Sequence, residues 1–321
     1  MTKPQIQNQH FQDQHLPKLT DRPSTVGVML GDYAHTIIEQ QFQALTKQKH
    51  HVLVDQDPEH LHKMRVAARR LQSALQVFEN AIKLPKAAQL KQVCSLGKAL
   101  GKLRDLDVQS AAIKDHYYPL LNSSEQEIVQ SLLKQLEKNR CQAFVEVESI
   151  LTRSPYKKIK SAYKDWLSCP QYGAIAQLPL AIAIPDLVNP LLSALLLHPG
   201  WLVSAQLLQR SADIGIYTTL HDLRKAFKAV RYQSEFFETF YDSTFQDWVG
   251  ELKTLQDNLG QVHDGYVLLK MLRSQKAEMP ELQAAIANAQ LQAMENWEPI
   301  RHQYLSADFR QQLHQMILGS A

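Results

Sequence analysis

The chain has 321 residues, of which 45% are hydrophobic and 21% charged, with a formal net charge of +3. That is enough for two ordinary domains or one duplicated unit with a substantial core, and the near-balanced charge argues against a surface that coats nucleic acid by general basicity. Cys94, Cys141 and Cys169 are far apart and form no CxxC pair, which argues against a disulfide framework and a cysteine zinc site and reads as reduced, mostly packing cysteines of a cytosolic protein.

Residues 1–26 are rich in Gln, His and Pro without an apolar run, and read as a disordered tail rather than a signal peptide. Gly31 to about Lys49 has the pattern of one helix. Asp57 is placed to cap the next, with Pro58 at its first position and Glu59 in its first turn. That helix should run to about Ile82 and stop before Pro85. It carries LHKMRVAARRLQSALQVFE at 61–79. There Leu61, Met64, Ala68, Leu71, Leu75 and Phe78 recur at helical spacing as one buried stripe. Residues 86–118 are expected to be helical, bent near Gly101, and include LGKLRDLDV from Leu100. A long helix follows from Ser123 to about Arg153, then a shorter one to Leu167.

Residues 169–214 read as a connecting region in which Pro170, Pro179, Pro185, Pro190 and Pro199 break any long element. Its stretch at 187–203 is the one membrane candidate. Asn189, Pro190, His198 and Pro199-Gly200 interrupt it short of the ~20 apolar residues a span needs, so it reads as packing between two halves. The second half repeats the plan. A helix over 216–241 carries LHDLRKAFKAVRYQSEFFE at 220–238, and helical sequence over 244–274 carries LGQVHDGYV from Leu259. Further helices are expected over 280–305 and 307–318.

The two helical blocks align without a gap, Leu61 on Leu220 and His62 on His221. The second pair sets Gly101 on Gly260, Asp105 on Asp264 and Val108 on Val267. The differences 220 − 61 and 259 − 100 are both 159. Two separated blocks sharing one offset point to a tandem duplication. The expected fold is all-α: two antiparallel helical bundles, over 27–168 and 215–318, related by an approximate internal twofold.

The duplicated feature is a row of cations. One residue round from the first apolar stripe come His62, Arg65, Arg69, Gln72 and Gln76. The second stripe (Leu220, Leu223, Phe227, Val230, Phe237) is flanked by His221, Arg224, Lys228, Arg231 and Glu235. A step of one residue is a rotation of ~100°, so these cations flank the core. A solvated helix face would sit opposite the core and mix signs in i, i+4 pairs. Like charges on one ridge need an answering anion or carboxylate. For His62 and His221 alone, a packing histidine bonded to a carbonyl is an equally good reading.

HxxRVxxRR (His62, Arg65, Val66, Arg69, Arg70), LGxxRDxDV over 100–108, and HxLRKxxKxxRY (His221, Leu223, Arg224, Lys225, Lys228, Arg231, Tyr232) together resemble the CHAD family, the conserved histidine α-helical domain. The resemblance spans roughly 27–318. It implies a duplicated helical-bundle fold whose basic central surface binds inorganic polyphosphate, without catalysis, cofactor or metal. The binding residues it implies are His62, Arg65, Arg69, Arg70, His221, Arg224, Lys225, Lys228, Arg231 and Tyr232. Arg104, Asp105, His263 and Asp264 are supporting residues, the two aspartates orienting Arg or His side chains. Some relatives are fused to a triphosphate tunnel domain, whose ExExK signature is absent from the N-terminal stretch, so a stand-alone binding module is implied. Two departures stand out: Gln72 occupies a position that is often Arg, and His263 precedes Asp264 where Arg104 precedes Asp105.

Polyphosphate offers about one charge per phosphoryl unit and no bases to read, so Arg forks and Lys point charges along a groove suit it. With His62, His221 and His263 near the anion, affinity is expected to rise as pH falls from about 8 to 6, the range of an ordinary histidine. Two other readings remain. His62, His221, His263-Asp264 and Asp105-x-Asp107 contain the ingredients of an HD-type metal phosphohydrolase, although arginine beside them would repel the metal. A helical nucleic-acid module would use the same phosphate contacts, but only Tyr232 adjoins the row as a stacking platform. The sequence favours a cytoplasmic protein, associated with polyphosphate granules, with polyphosphate as its partner and neither membrane nor nucleic acid.

Overall fold

In the computed structural model, residues 27–210, 214–274 and 278–319 are described; the expected 1–26 tail lies outside them. Regular structure among these residues is helical, apart from isolated bridges between Met29 and Pro179 and between Ile82 and Tyr172. The first half comprises α1 (Leu30–Lys47), α2 (Lys49–Val54), α3 (Pro58–Val77), α4 (Leu90–Ala112), α5 (Ser123–Thr152) and α6 (Ser154–Ser168). The second comprises α7 (Leu180–Leu196), α8 (Ala205–Arg210), α9 (Ile214–Ser234), α10 (Ser243–Ser274), α11 (Pro280–Ala293), α12 (Trp297–Leu305) and α13 (Ala307–Leu318).

Local signals set several of the starts. The Asp57 carboxylate accepts from Glu59 N at 2.8 Å, and Asn122 caps α5 through Glu125 N at 3.0 Å. Such caps satisfy amides that the helix itself leaves unpaired. Packing follows one scheme in each half: α1 on α3, α3 on α4 and α4 on α5, then α7 on α9, α9 on α10 and α10 on α11, with α3 against α9 joining the halves. The bundles do not have separate cores. One apolar cluster runs through both. A second sets Ile113, Leu121 and Val129 of the first half against Leu268, Met279 and Leu282 of the second.

The structure departs from the sequence reading at several places. Helix α3 ends at Val77 rather than near Ile82. Beyond it the chain turns to pair with 171–173, Lys83 N donating to Gln171 O at 2.8 Å and Gly173 N to Ala81 O at 2.9 Å. Only glycine fits at 173, since a Cβ there would lie 2.1 Å from Asn80 O. Helix α4 runs without a break through Gly101, and an irregular turn follows it at 113–117. Instead of one helix over 280–305, the chain breaks between α11 and α12. This turn brings the Trp297 indole to Val203 O at 2.8 Å and stacks it on Trp201.

The prolines of 169–214 do not break every long element, because α7 is a 17-residue helix with Pro185 and Pro190 inside it. Ile184, Val188, Leu192, Leu195 and Leu196 are buried along one face, while Asp186 and Pro190 are exposed. The carbonyls that the prolines leave unpaired, at Ala181 and Asp186, therefore lie where solvent reaches. By length and hydropathy alone, Leu180–Leu202 is apolar enough to cross a membrane, with 39% of the window buried; here α7 packs on α1, α9 and α13. The cysteines, expected to be mostly packing residues, are all exposed.

A second seam lies far along the chain from α3 and α9. Glu125, only 3% exposed, accepts from Glu281 N at 2.8 Å and Leu282 N at 2.9 Å, so a first-half carboxylate caps α11. Glu281 reciprocates by accepting from Asn122 N at 2.6 Å. Removing the Glu125 carboxylate leaves two helix-start amides without acceptors. Glu125→Ala is expected to cost about 2 kcal/mol of stability, read as a lower urea midpoint, while Glu127→Ala on the exposed face changes little. Equal midpoints would show that the seam does not depend on this cap.

Candidate anion-binding site

Both apolar stripes are buried, and this turns the neighbouring ridges of α3 and α9 toward the seam where these helices pack. Arg65 and Arg224 make the same local contact in the two halves. Each lies along the next helix where that helix has glycine. A Cβ at Gly101 would sit 3.5 Å from Arg65 Nε, and one at Gly260 would sit 3.1 Å from Arg224 Nε. A Cβ at Gly260 would press on the Arg224 guanidinium, whereas one at Gly101 would only touch Arg65. Asp105 accepts from Arg65 at 3.2 Å.

Lys228 stands where the two rows meet. Burial, then the charges of Arg224, Arg65, Arg69 and Arg231, lowers its pKa to about 7. Cations from both halves thus crowd one amine, although it keeps some contact with solvent. Among the described residues no carboxylate forms an ion pair with Arg69, Arg224 or Lys228. This convergence of Arg65, Arg69, Arg224 and Lys228 is the centre of the site.

Three candidate ligands of the anion are engaged elsewhere. Arg231 is only 5% exposed. Its Nε donates to Gln256 at 3.2 Å, its Nη1 to Glu235 at 2.7 Å, and its guanidinium lies 4.4 Å from the centre of the Tyr232 ring. Tyr232 is itself buried. Arg70 reaches across from α3 to the same Glu235. Arg70 and Arg231 therefore tie the seam together through Glu235, with the Tyr232 ring packed against the Arg231 guanidinium. Burial, with Glu235 close by, raises the neighbouring Glu238 to about 7. Lys225 is exposed and paired with Asp222 at 2.6 Å.

The histidines behave differently from the expectation. His221 and His263 stack, with ring centres 3.9 Å apart. Burial, then His263, Lys225 and Arg224, pulls His221 down to about 4; burial and Arg224 also lower His263. Their charged forms are disfavoured, so the pH window of 8 to 6 does not belong to His221. His62 is half-buried on α3. Asp264 is raised by burial and by Asp105, against Arg224. It keeps solvent contact despite the protein round it, as a side chain in the floor of a groove does. Arg104, lowered by burial, is drawn up by Asp107 and Glu59.

From the seam a cleft of about 730 Å³ opens over the first half. Helix α4 forms its floor with Gly97, Lys98, Gly101 and Lys102; α3 contributes Arg65 and Arg69, and α5 contributes Asn139 and Gln142. Gln72, where the resemblance suggests Arg, lies over Gly97 and donates to Val93 O at 3.1 Å. Lys98 and Lys102 were not singled out by the sequence reading. Their spacing with Asp105 at i, i+4 and i+7 was the available signal.

Residues 36–273 match the CHAD domain family. The chain belongs to that family. Its fold is similar to the crystal structure of the CHAD domain from the plant Ricinus communis, at 22% identity and a TM-score of 0.54, covering 92% of this chain and 93% of that one. It is also similar to PptA from Streptomyces chartreusis, at 16% identity and a TM-score of 0.57, covering 89% of this chain and 99% of that one. At these identities the likeness speaks to the CHAD fold alone. No curated protein matches the chain.

Two substitutions separate the seam from the site. Arg231→Ala removes one of the two guanidinium groups paired with Glu235 and opens a gap beside Gln256, so this CHAD domain is expected to lose about 2 kcal/mol. Lys228→Met has the opposite sign. The unfolded chain holds the Lys228 proton with a pKa near 10.5 and the folded chain near 7, so this charge opposes folding fully below about pH 7, and its opposition fades as pH rises from 7 to 10.5. Lys228→Met should raise the melting temperature at pH 6, with the gain vanishing toward pH 10. A gain independent of pH would mean that Lys228 does not bear the crowding.

Proposed function

We propose that this CHAD domain binds inorganic polyphosphate along the groove that starts at the α3–α9 seam, and that it binds without catalysing a reaction. The observation that carries the reading is the meeting of Arg69, Arg224 and Lys228 beside Arg65, with the first three lacking carboxylate partners among the described residues. Such a cluster is unfavourable until an anion enters. A linear polymer with a charge on every unit meets several cations at the cost of ordering one chain.

Two further observations support this reading over the alternatives. Tyr232 is buried under Arg231, which removes the one aromatic platform that adjoined the row for nucleobases. Among the described residues no three His, Cys, Asp or Glu side chains gather as a metal-ligand group, and His263 stands against His221 and feels Arg224. On this reading the protein is drawn to polyphosphate granules in the cytoplasm.

Arg69→Ala/Arg224→Ala/Lys228→Ala should weaken binding of long polyphosphate by roughly 100-fold, about 1 kcal/mol for each lost cation, with helicity by circular dichroism unchanged. Wild type should prefer long chains to ATP, and affinity should fall with salt. The pH dependence follows Lys228. An anion raises its pKa above the free value of about 7, so the complex takes up a proton. Affinity is then level below pH 7 and declines as pH rises toward 9. ATP binding as tightly as a long chain, or an unweakened triple variant that remains folded, would overturn the proposal.

A further inference from the structure

We infer that the polyanion leaves the seam in one direction only, over α4 of the first half, where Lys98 and Lys102 form a second phosphate subsite with no counterpart in the second half. The inference rests on the binding reading above and adds to it a direction and a residue set.

Three differences between the halves carry it. The first is charge. Lys98 and Lys102 correspond to Asp257 and Gln261, so a wall with two cations in one half has a carboxylate and an amide in the other. The second is room. The first half has glycine at both 97 and 101, and the cleft of about 730 Å³ lies over them. The second half keeps Gly260, but the position of Gly97 is taken by Gln256, held against Arg231 at 3.2 Å. The third is the opposite wall. Asn139 and Gln142 line the cleft with neutral donors. In the second half the helix packed on α10 is α11, whose buried Gln290 lies against Gly265 and donates to Val262 O at 2.9 Å.

The ridges and the walls therefore complement each other. Helix α9 has the denser row facing the seam, while α3 has a thinner row but a basic, open floor beside it. A chain anchored at Lys228 and Arg224 passes Arg65 and Arg69 and meets Lys98 and Lys102 next. Lys102 pairs with Glu146 at 2.8 Å, but both side chains are about half exposed or more, and such a pair is readily given up to a phosphate.

The test is titration of the full chain with long polyphosphate at three salt concentrations. Lys98→Ala/Lys102→Ala should lose about tenfold in affinity, the effect of two partly solvated cations. Its plot of log affinity against log salt should flatten by roughly 1 to 1.5, at about 0.7 per released phosphate contact. Lys98→Arg/Lys102→Arg should restore both. The offset-matched Asp257→Asn/Gln261→Ala should show no loss. Equal losses in the two halves, or no loss at Lys98 and Lys102 while wild type binds, would overturn the one-sided path. Failure of wild type to bind long polyphosphate would instead overturn the binding reading itself.

Discussion

Repulsion between like charges at the α3–α9 seam is the constraint that the rest of the fold accommodates. Two unit charges a few ångströms apart near a protein surface cost on the order of 1 to 4 kcal/mol, and this seam places several cations together. The structure answers in two ways. Behind the groove, Glu235 takes up Arg70 and Arg231, which bonds the helices across the junction. Facing the groove, Gly260 makes room for Arg224 along α10, and Arg65 lies beside Gly101 of α4. The apolar cluster running through both halves supplies the burial that holds the helices together despite the crowding.

Along α9 these two roles belong to one ridge, and helix geometry divides them. The set His221, Arg224, Lys228, Arg231 and Glu235 advances by 3.5 residues on average, whereas a straight helix turns in 3.6, a drift of ~20° per heptad. From His221 to Glu235 the ridge therefore winds by about 40°. Its early members face the groove and its late members turn into the junction. Arg231 and Lys228 have similar charges and adjacent places on the ridge, yet one is fixed against Glu235 while the other is left among cations.

What was legible in the sequence follows from this distinction. The stripes, the Asp57 cap and the last helix depend on neighbours within a turn or two, and they appear where the spacing places them. The convergence of Arg65, Arg69, Arg224 and Lys228 was legible through the repeated offset. The burial of Arg231 and Tyr232 was not, because it depends on what lies opposite: Gln256 on α10 and Arg70 on α3. Lys98 and Lys102 were overlooked because lysines near an aspartate on a helix look like an ordinary solvated face. Only the placement of α3 and α5 on either side of α4 makes that face a floor. Helix α7 was missed because proline carries a strong local signal, while the burial of Val188 and Leu192 that outweighs it depends on distant helices.

On the proposed reading, the same repulsion sets the sign of the ligand. A cation entering the groove adds to the crowding around Lys228, whereas an anion removes it, so the sign of the ligand is set before any specific contact forms. Asp105, the carboxylate paired with Arg65, is largely solvated and holds that pair only loosely. The stronger carboxylate contacts, at Glu235, lie behind the groove and do not compete for the incoming charge. A ligand bound only by the folded form stabilises that form by mass action. Here the stabilisation acts on the junction between the two halves, because Lys228 belongs to α9 and part of the repulsion it feels comes from Arg65 and Arg69 on α3. Filling the groove and holding the two bundles together are therefore coupled through the same charges.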